Sequence, residues 1–349
     1  MSPESSQPST SPRPIRTATG PAVLLWLVAL TCLLRLPALV SHPFCIDESY
    51  YAAGAVELNS GGAFYRDVVD HKTPGIYFIY AGIYRLAGAY NQTAVHVVLV
   101  LVAALTAYLV GLVAQEFFGG RAGRWAGTLY AIASVIGPAN DFQAANTELF
   151  MNLPVVAALW LGARLWARGR ITRHQAGVMG FLVGLAILIR PQAAMALLPI
   201  AVVLYRRWAG WLAMAIVGVA ALLPSLALLG WLAHADAVAD LKTSMTYASY
   251  YTNSLPLELK LANGTLKTAF FVAIDVGLVI PAVVLMTQGR RHDPAWRQGV
   301  GCLLVSWLFG SFVAASMGGR FYPHYFIQVL PPLAVMAGRQ LTLWRKEAA

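Results

Sequence analysis

Long apolar runs separated by short polar stretches fill nearly the whole chain. The runs cover residues 21–40, 94–117, 122–136, 150–166, 176–204, 212–232, 267–286, 300–315 and 329–343. About 20 apolar residues in a helix cross a hydrocarbon layer of about 30 Å, so each run predicts a membrane span. The run 176–204 carries Arg190-Pro191-Gln192 at its middle and reads as two short helices. The pattern predicts an all-α polytopic membrane protein of about ten transmembrane helices. Four polar stretches interrupt it: 47–75, 138–152, 233–264 and 317–328. In the first, Asp47 is placed to cap a helix over 48–58 that stops at Asn59-Ser60-Gly61-Gly62. Tyr51, Ala52, Ala55 and Val56 form an apolar stripe suited to a helix lying in the interface. Thr73-Pro74 predicts the cap and first turn of a second interfacial helix, to about Ala87.

Charge then orients the spans. Arginines collect in alternate loops: Arg13 and Arg16, Arg121 and Arg124, Arg164 to Arg173, Arg206 and Arg207, Arg290 to Arg297, and Arg345-Lys346. Positive loops stay inside, so both termini are expected in the cytoplasm and the intervening loops outside a bacterial-type plasma membrane. The acids, not used to build this topology, fall mostly on the outer side: Asp47, Glu48, Glu57, Asp67, Asp70, Asp141, Glu148, Asp236, Asp240 and Glu258. Residues 1–20, rich in Ser, Pro and Thr, are expected to be a disordered cytoplasmic tail, 21–343 the membrane domain, and 344–349 a second cytoplasmic tail. With 58% hydrophobic and 11% charged residues, the chain cannot cover its surface with polar groups unless the bilayer is part of its solvent. The net charge of +10 belongs to the basic loops, and no nucleic-acid motif accompanies it. Cys32, Cys45 and Cys302 form no disulfide framework.

This topology brings four polar clusters to one face: Asp47-Glu48, Asp70-His71-Lys72, Asn146-Thr147-Glu148, and the stretch Gly318 to Tyr325. Carboxylates supply a general base or metal ligands, while Lys72, Arg320 and His324 suit a phosphate. Composition and spacing go no further. The strings themselves resemble GT-C membrane glycosyltransferases of the ArnT and protein O-mannosyltransferase type. The matching segments are Asp47-Glu48-x-Tyr50-Tyr51, Tyr65-Arg66-Asp67 and Asp70-His71-Lys72-x-Pro74-Gly75. Ala145-Asn146-Thr147-Glu148-x-Phe150-Met151 with Leu153-Pro154 is similar to the family's second-loop motif, and Gly184-x-Ala186 with Arg190-Pro191-Gln192 to its mid-chain motif. Gly318-Gly319-Arg320-Phe321, His324-Tyr325-Phe326 and Pro331-Pro332 resemble its closing motif.

The resemblance implies a GT-C-like bundle that moves a hexosyl or pentosyl group from a polyprenyl-phosphate carrier to a hydroxyl of a lipid, glycan or protein. It implies Asp47 as base in an inverting transfer, with Glu48 second and Glu148 orienting the acceptor. Lys72, Arg320, His324 and Arg190 would hold the donor phosphate. Tyr51, His71, Asn146 and Tyr325 would line the substrate site. A divalent metal (Mg or Mn) stays open, with Asp47, Glu148 and His71 as its candidate ligands. The rival class is a transporter or flippase of a lipid-linked saccharide. A transporter would place its ionisable groups near the bilayer midplane rather than at one surface. A third reading, a non-catalytic scaffold of the cell envelope, gives no role to Asp47 and Lys72 together.

Overall fold

The structure is a computed structural model that describes residues 20–42, 45–207 and 210–347. Of the expected tail over 1–20, residues 1–19 lie outside these, as do the last two residues of the chain. All regular elements among the described residues are helical. In chain order they are α1 (Pro21–Val40), α2 (Ile46–Asn59), α3 (Gly75–Ala87), α4 (Gln92–Phe118) and α5 (Gly120–Ala133). There follow α6 (Ala139–Phe142), α7 (Thr147–Arg168), α8 (Arg173–Ile189), α9 (Leu197–Arg206) and α10 (Gly210–His234). The chain closes with α11 (Val238–Asn253), α12 (Leu257–Ile274), α13 (Val276–His292), α14 (Gly301–Ser316) and α15 (Leu330–Glu347). Two 3₁₀ segments, Pro191–Ala196 and Pro323–Val329, precede α9 and α15.

Five segments among the described residues are long and apolar enough to cross a membrane: α1, α4, α7, α10 and Trp296–Ser316. A sixth appears if α12 and α13 are counted as one bent span. The four remaining helices of the ten-span reading, α5, α8, α9 and α15, fall short of that test. The expected single span 267–286 does not form as one rod. The chain bends by 96° between α12 and α13, at buried Asp275. Asp275 is at once the C-cap of α12 and the N-cap of α13, with its Oδ2 buried and without a partner among the described residues. The run 176–204 does divide: Arg190 is extended (φ −155°, ψ 120°) between α8 and the 3₁₀ segment. At the C-terminus, α15 continues as helix through Glu347.

The first polar stretch folds as two short helices, each entered differently from the sequence reading. Cys45 holds the N-cap position of α2 without a side-chain cap bond, so Asp47 lies in the first turn and not at the cap. Gly61 (φ +99°) ends that helix, in a conformation that glycine adopts without strain. Pro74 holds the N-cap position of α3, and the Thr73 hydroxyl instead donates to the carbonyl of Ile187 at 3.5 Å. At 13 residues α3 is about 20 Å long, too short to cross. Its inner face packs Tyr77 and Tyr80 against Tyr51 of α2, with edge-on ring contacts at 5.3 and 5.7 Å. These aromatic contacts fix α2 to α3 and therefore fix where Asp47 points.

Small residues set the tight crossings, as expected where lipid supplies no hydrophobic drive between helices. A Cβ at Gly75 would sit 2.5 Å from the carbonyl oxygen of Leu188. Gly75→Ala is therefore expected to force α3 off α8 and destabilise the protein by about 1–3 kcal/mol. Thermal unfolding in detergent checks this. Arg35, buried in α1, donates to the carbonyls of Ser134 (2.9 Å) and Phe142 (3.3 Å). It ties α1 to the end of α5 and to α6, beside the second polar stretch.

Candidate active site

Two adjoining cavities open among the polar stretches. The smaller, about 210 Å³, is bounded by Arg190, Arg320, Tyr251, Thr147 and Tyr325. The larger, about 620 Å³, is bounded by Asp47, Tyr50, Asp70, Asp240 and Tyr247. His71 and Lys72 line both and form the wall between them.

Lys72 faces Asp47. Its Nζ lies 2.7 Å from Asp47 Oδ1 and donates to the Tyr51 hydroxyl at 3.1 Å. That hydroxyl in turn donates to Asp47 Oδ2 at 3.4 Å. Residues 47 and 51 sit one turn apart on α2, so both project to the same side. Burial pushes the Tyr51 phenol well up, and the nearby carboxylates of Asp47 and Glu148 add to the effect. Tyr51 therefore stays a hydrogen-bond donor to Asp47.

The Asp70-His71 step is built around the Asp70 carboxylate. It accepts from Tyr77 at 2.5 Å and from the Lys72 amide at 3.3 Å, and pairs with His71 Nδ1 at 3.1 Å. Burial opposes its ionisation. The His71 bond, the Lys72 charge and the Tyr77 bond outweigh burial and hold it below the usual carboxylate range. A lowered folded-state value means that Asp70 adds stability above the ordinary carboxylate pKa. That stability is lost as pH falls through the lowered value. Asp70→Asn should thus lower the unfolding temperature at about pH 7 and shrink the drop between about pH 7 and pH 3. Thermal unfolding at the two pH values measures this.

Glu148 and Arg190 form a buried ion pair, with the Glu148 side chain wholly shielded and Arg190 at 12% exposure. Thr147 donates to Glu148 at 2.9 Å, and the Arg190 guanidinium lies 4.1 Å from the centre of the Tyr325 ring. Arg190 Nε has no partner among the described residues. Arg320 stacks on Tyr251 at 3.7 Å and donates to the Ser254 hydroxyl (3.0 Å) and the Tyr251 carbonyl (3.2 Å). Its Nε is likewise buried without a partner.

Of the sequence-predicted residues, Asp47, Lys72, His71, Arg190, Arg320 and Tyr325 line the cavities, and Tyr51 braces two of them. Four others take different posts. Glu148 lines neither cavity and is enclosed in its pair with Arg190. Glu48 turns into the core. Its carboxylate accepts from the Ala145 amide (2.6 Å) and Gln92 Nε2 (2.8 Å), and contacts His96 Nε2 (3.2 Å). It is a strut joining α2, α4 and the start of α7, and it lines neither cavity. Asn146 is fully buried, donates to the Asp141 carbonyl at 2.9 Å, and shapes the second polar stretch instead of touching a cavity. His324 lies 2.5 Å from Asp141 Oδ1 and lines neither cavity, so it joins α6 to the last 3₁₀ segment.

Two cavity residues, Tyr251 and Tyr247, are absent from the sequence-predicted set. Both rings pack on His71, at 4.7 and 5.9 Å. Their four-residue spacing on α11 was the available signal. The metal candidates do not converge. Among the described residues no three His, Cys, Asp or Glu side chains are grouped to hold an ion. Asp47 is taken by Lys72, His71 by Asp70, and Glu148 by Arg190. These residues do not fit a metal centre as they stand.

The family model for dolichyl-phosphate-mannose-protein mannosyltransferase matches residues 71–234. Among solved structures, ArnT from Cupriavidus metallidurans bound to undecaprenyl phosphate aligns with a TM-score of 0.70 at 18% identity. The alignment covers 93% of this chain and 62% of that one. The apo form of the same protein aligns with a TM-score of 0.69. The archaeal oligosaccharyltransferase AglB from Archaeoglobus fulgidus, in complex with an inhibitory peptide and a dolichol-phosphate, aligns at 0.57 with 14% identity. That match covers 93% of this chain and 51% of AglB. By sequence, no curated protein matches. At these identities the likeness carries the fold: this chain is an integral membrane protein with the GT-C fold. It spans less than two thirds of the length of the structures it resembles.

Proposed function

We propose that the chain is a membrane glycosyltransferase that takes a sugar from a polyprenyl-phosphate donor and passes it to an acceptor hydroxyl, with inversion. The observation that carries this reading is the shared wall. Lys72 holds the carboxylate of Asp47 on one side and borders the cavity of Arg190 and Arg320 on the other. A carboxylate and a cationic cavity separated by one side chain are what transfer from a phosphate to a hydroxyl requires.

In this reading the donor phosphate enters the smaller cavity and the acceptor the larger. The donor is a phosphodiester. As the bond from C1 to the phosphate oxygen breaks, a second negative charge develops on the departing polyprenyl phosphate. Lys72 and Arg320 stabilise that charge more in the transition state than in the ground state. Lys72 must leave Asp47 to do so, which frees Oδ1 to accept a proton. The acceptor oxygen then attacks C1 from the opposite face and its proton passes to Asp47. Donor binding and base release are thus one event, and Tyr51 keeps Asp47 in place through it. The Glu148–Arg190 pair is neutral as a unit and contributes orientation through the free Arg190 Nε. No metal enters any step. Arginine placement among the loops supports an outer location for both cavities, with both termini inside.

A transporter of the same lipid would leave the C1–O bond intact. Purified protein in lipid nanodiscs, given a synthetic polyprenyl-phosphate sugar and candidate hydroxyl acceptors, should release polyprenyl phosphate in step with glycosylated acceptor. In proteoliposomes, translocation of intact donor without bond cleavage would favour the transporter.

A further inference from the structure

A third cavity lies at the other end of the bundle. It is about 410 Å³ and is bounded by Val23 and Trp26 of α1, Arg121, Arg124 and Trp125 of α5, and Arg345 of α15. These positions belong to the N-terminal parts of α1 and α5 and the C-terminal part of α15. The opposite ends of the same helices lead to α2, to α6 and from the 3₁₀ segment that carries Tyr325. The cavity is therefore a helix length away from the candidate active site and does not depend on what happens there.

Four features make it more than a basic loop. The framework is tightly packed: Gly338 of α15 lies against the backbone of Ala122 and Ala126, and Leu27 of α1 against Gly127. Arg121 and Arg124 are three residues apart and share a face of α5 with Trp125 and Thr128. None of the three guanidiniums has a carboxylate partner among the described residues, and the nearby acid of α4, Glu116, is turned to Arg164 at 4.0 Å. Three like charges around one concavity repel each other, the more so beside hydrocarbon, where screening is weak. An anion between them removes that cost. The two tryptophans, 55% and 37% exposed, place the cavity at the depth where lipid headgroups meet chains.

We propose that this cavity binds the headgroup of an anionic phospholipid. The guanidinium forks of Arg121 and Arg124 grip a phosphate bidentately, Arg345 closes the site from α15, and the acyl chains run down past Trp26 and Trp125. The bound lipid pins α1, α5 and α15 together at the end remote from the cavities.

The test uses the purified full chain in detergent, with thermal unfolding followed against added diphosphatidylglycerol, phosphatidylcholine or inorganic phosphate. Diphosphatidylglycerol should raise the unfolding temperature saturably, and R121Q/R124Q should need at least about tenfold more lipid for half the shift. R168Q/R170Q, which removes as much charge from the end of α7 and the loop after it, should respond as wild type. R345Q, at the exposed end of α15, should weaken the response about threefold and guards against a misfolded double variant. An equal response of wild type and R345Q overturns the proposal. An equal shift with phosphatidylcholine overturns it too, as does an equal shift with inorganic phosphate, which would make the site one for free anions.

Discussion

Asp47→Asn is expected to cut transfer by about 10²–10⁴-fold while leaving donor binding and unfolding temperature near those of the wild type. The size follows from the role. A hydroxyl attacking C1 must lose its proton, and of the carboxylates lining the larger cavity Asp47 is the one paired with Lys72 Nζ, while Asp70 is held by Tyr77 and His71. Asparagine keeps the shape and the Tyr51 contact but accepts no proton. The side chain is a third exposed and its pair with Lys72 is solvated, so little stability is at stake. The variant also releases Lys72, which should hold donor phosphate at least as tightly as before. Single-turnover transfer and equilibrium binding of polyprenyl phosphate, measured on the same preparation, separate the two effects.

The second large effect falls on the fold. Arg190→Ala leaves Glu148 with a buried charge and no cation, at a cost of about 3–5 kcal/mol. It also removes the cation from the Tyr325 ring and opens the smaller cavity. The unfolding temperature in detergent should fall sharply. Glu148→Gln combined with Arg190→Gln should recover most of it, because the pair is then removed as a unit. Transfer should stay low in the double variant, since the donor cavity loses the Arg190 guanidinium that orients the donor and keeps only that of Arg320. A double variant no more stable than Arg190→Ala alone would place the loss in packing rather than in the unpaired carboxylate.

Much of the site was legible because charge is scarce in this chain. Asp47, Lys72 and Arg320 stood out in short motifs, and the structure gathers them around the two cavities although Lys72 and Arg320 are far apart in sequence. What failed was direction. Asp47 and Glu48 are adjacent and chemically alike, but neighbouring side chains on a helix point about 100° apart. Tyr51 marks the cavity side for Asp47, whereas Glu48 meets Gln92 and His96, polar residues four apart on an otherwise apolar span. That pair was the overlooked signal for a buried acid. His324 could not be read correctly because its partner, Asp141, lies 183 residues away. The bend at Asp275 was hidden by an apolar run that continues on both sides. The number of full spans was the least legible feature, because short helices such as α8 and α9 are apolar without being long.

The central claim is that one carboxylate, Asp47, deprotonates the acceptor while the phosphate leaves from the other face of the sugar. The anomeric configuration of the product tests it most directly. Purified protein is given a polyprenyl-phosphate sugar of known anomer, and the anomeric configuration of the glycosylated acceptor is read by proton NMR. Inversion at C1 is the predicted result. Retention would require a covalent sugar–enzyme intermediate, and would contradict the assignment of Asp47 as base and of the two cavities to donor and acceptor.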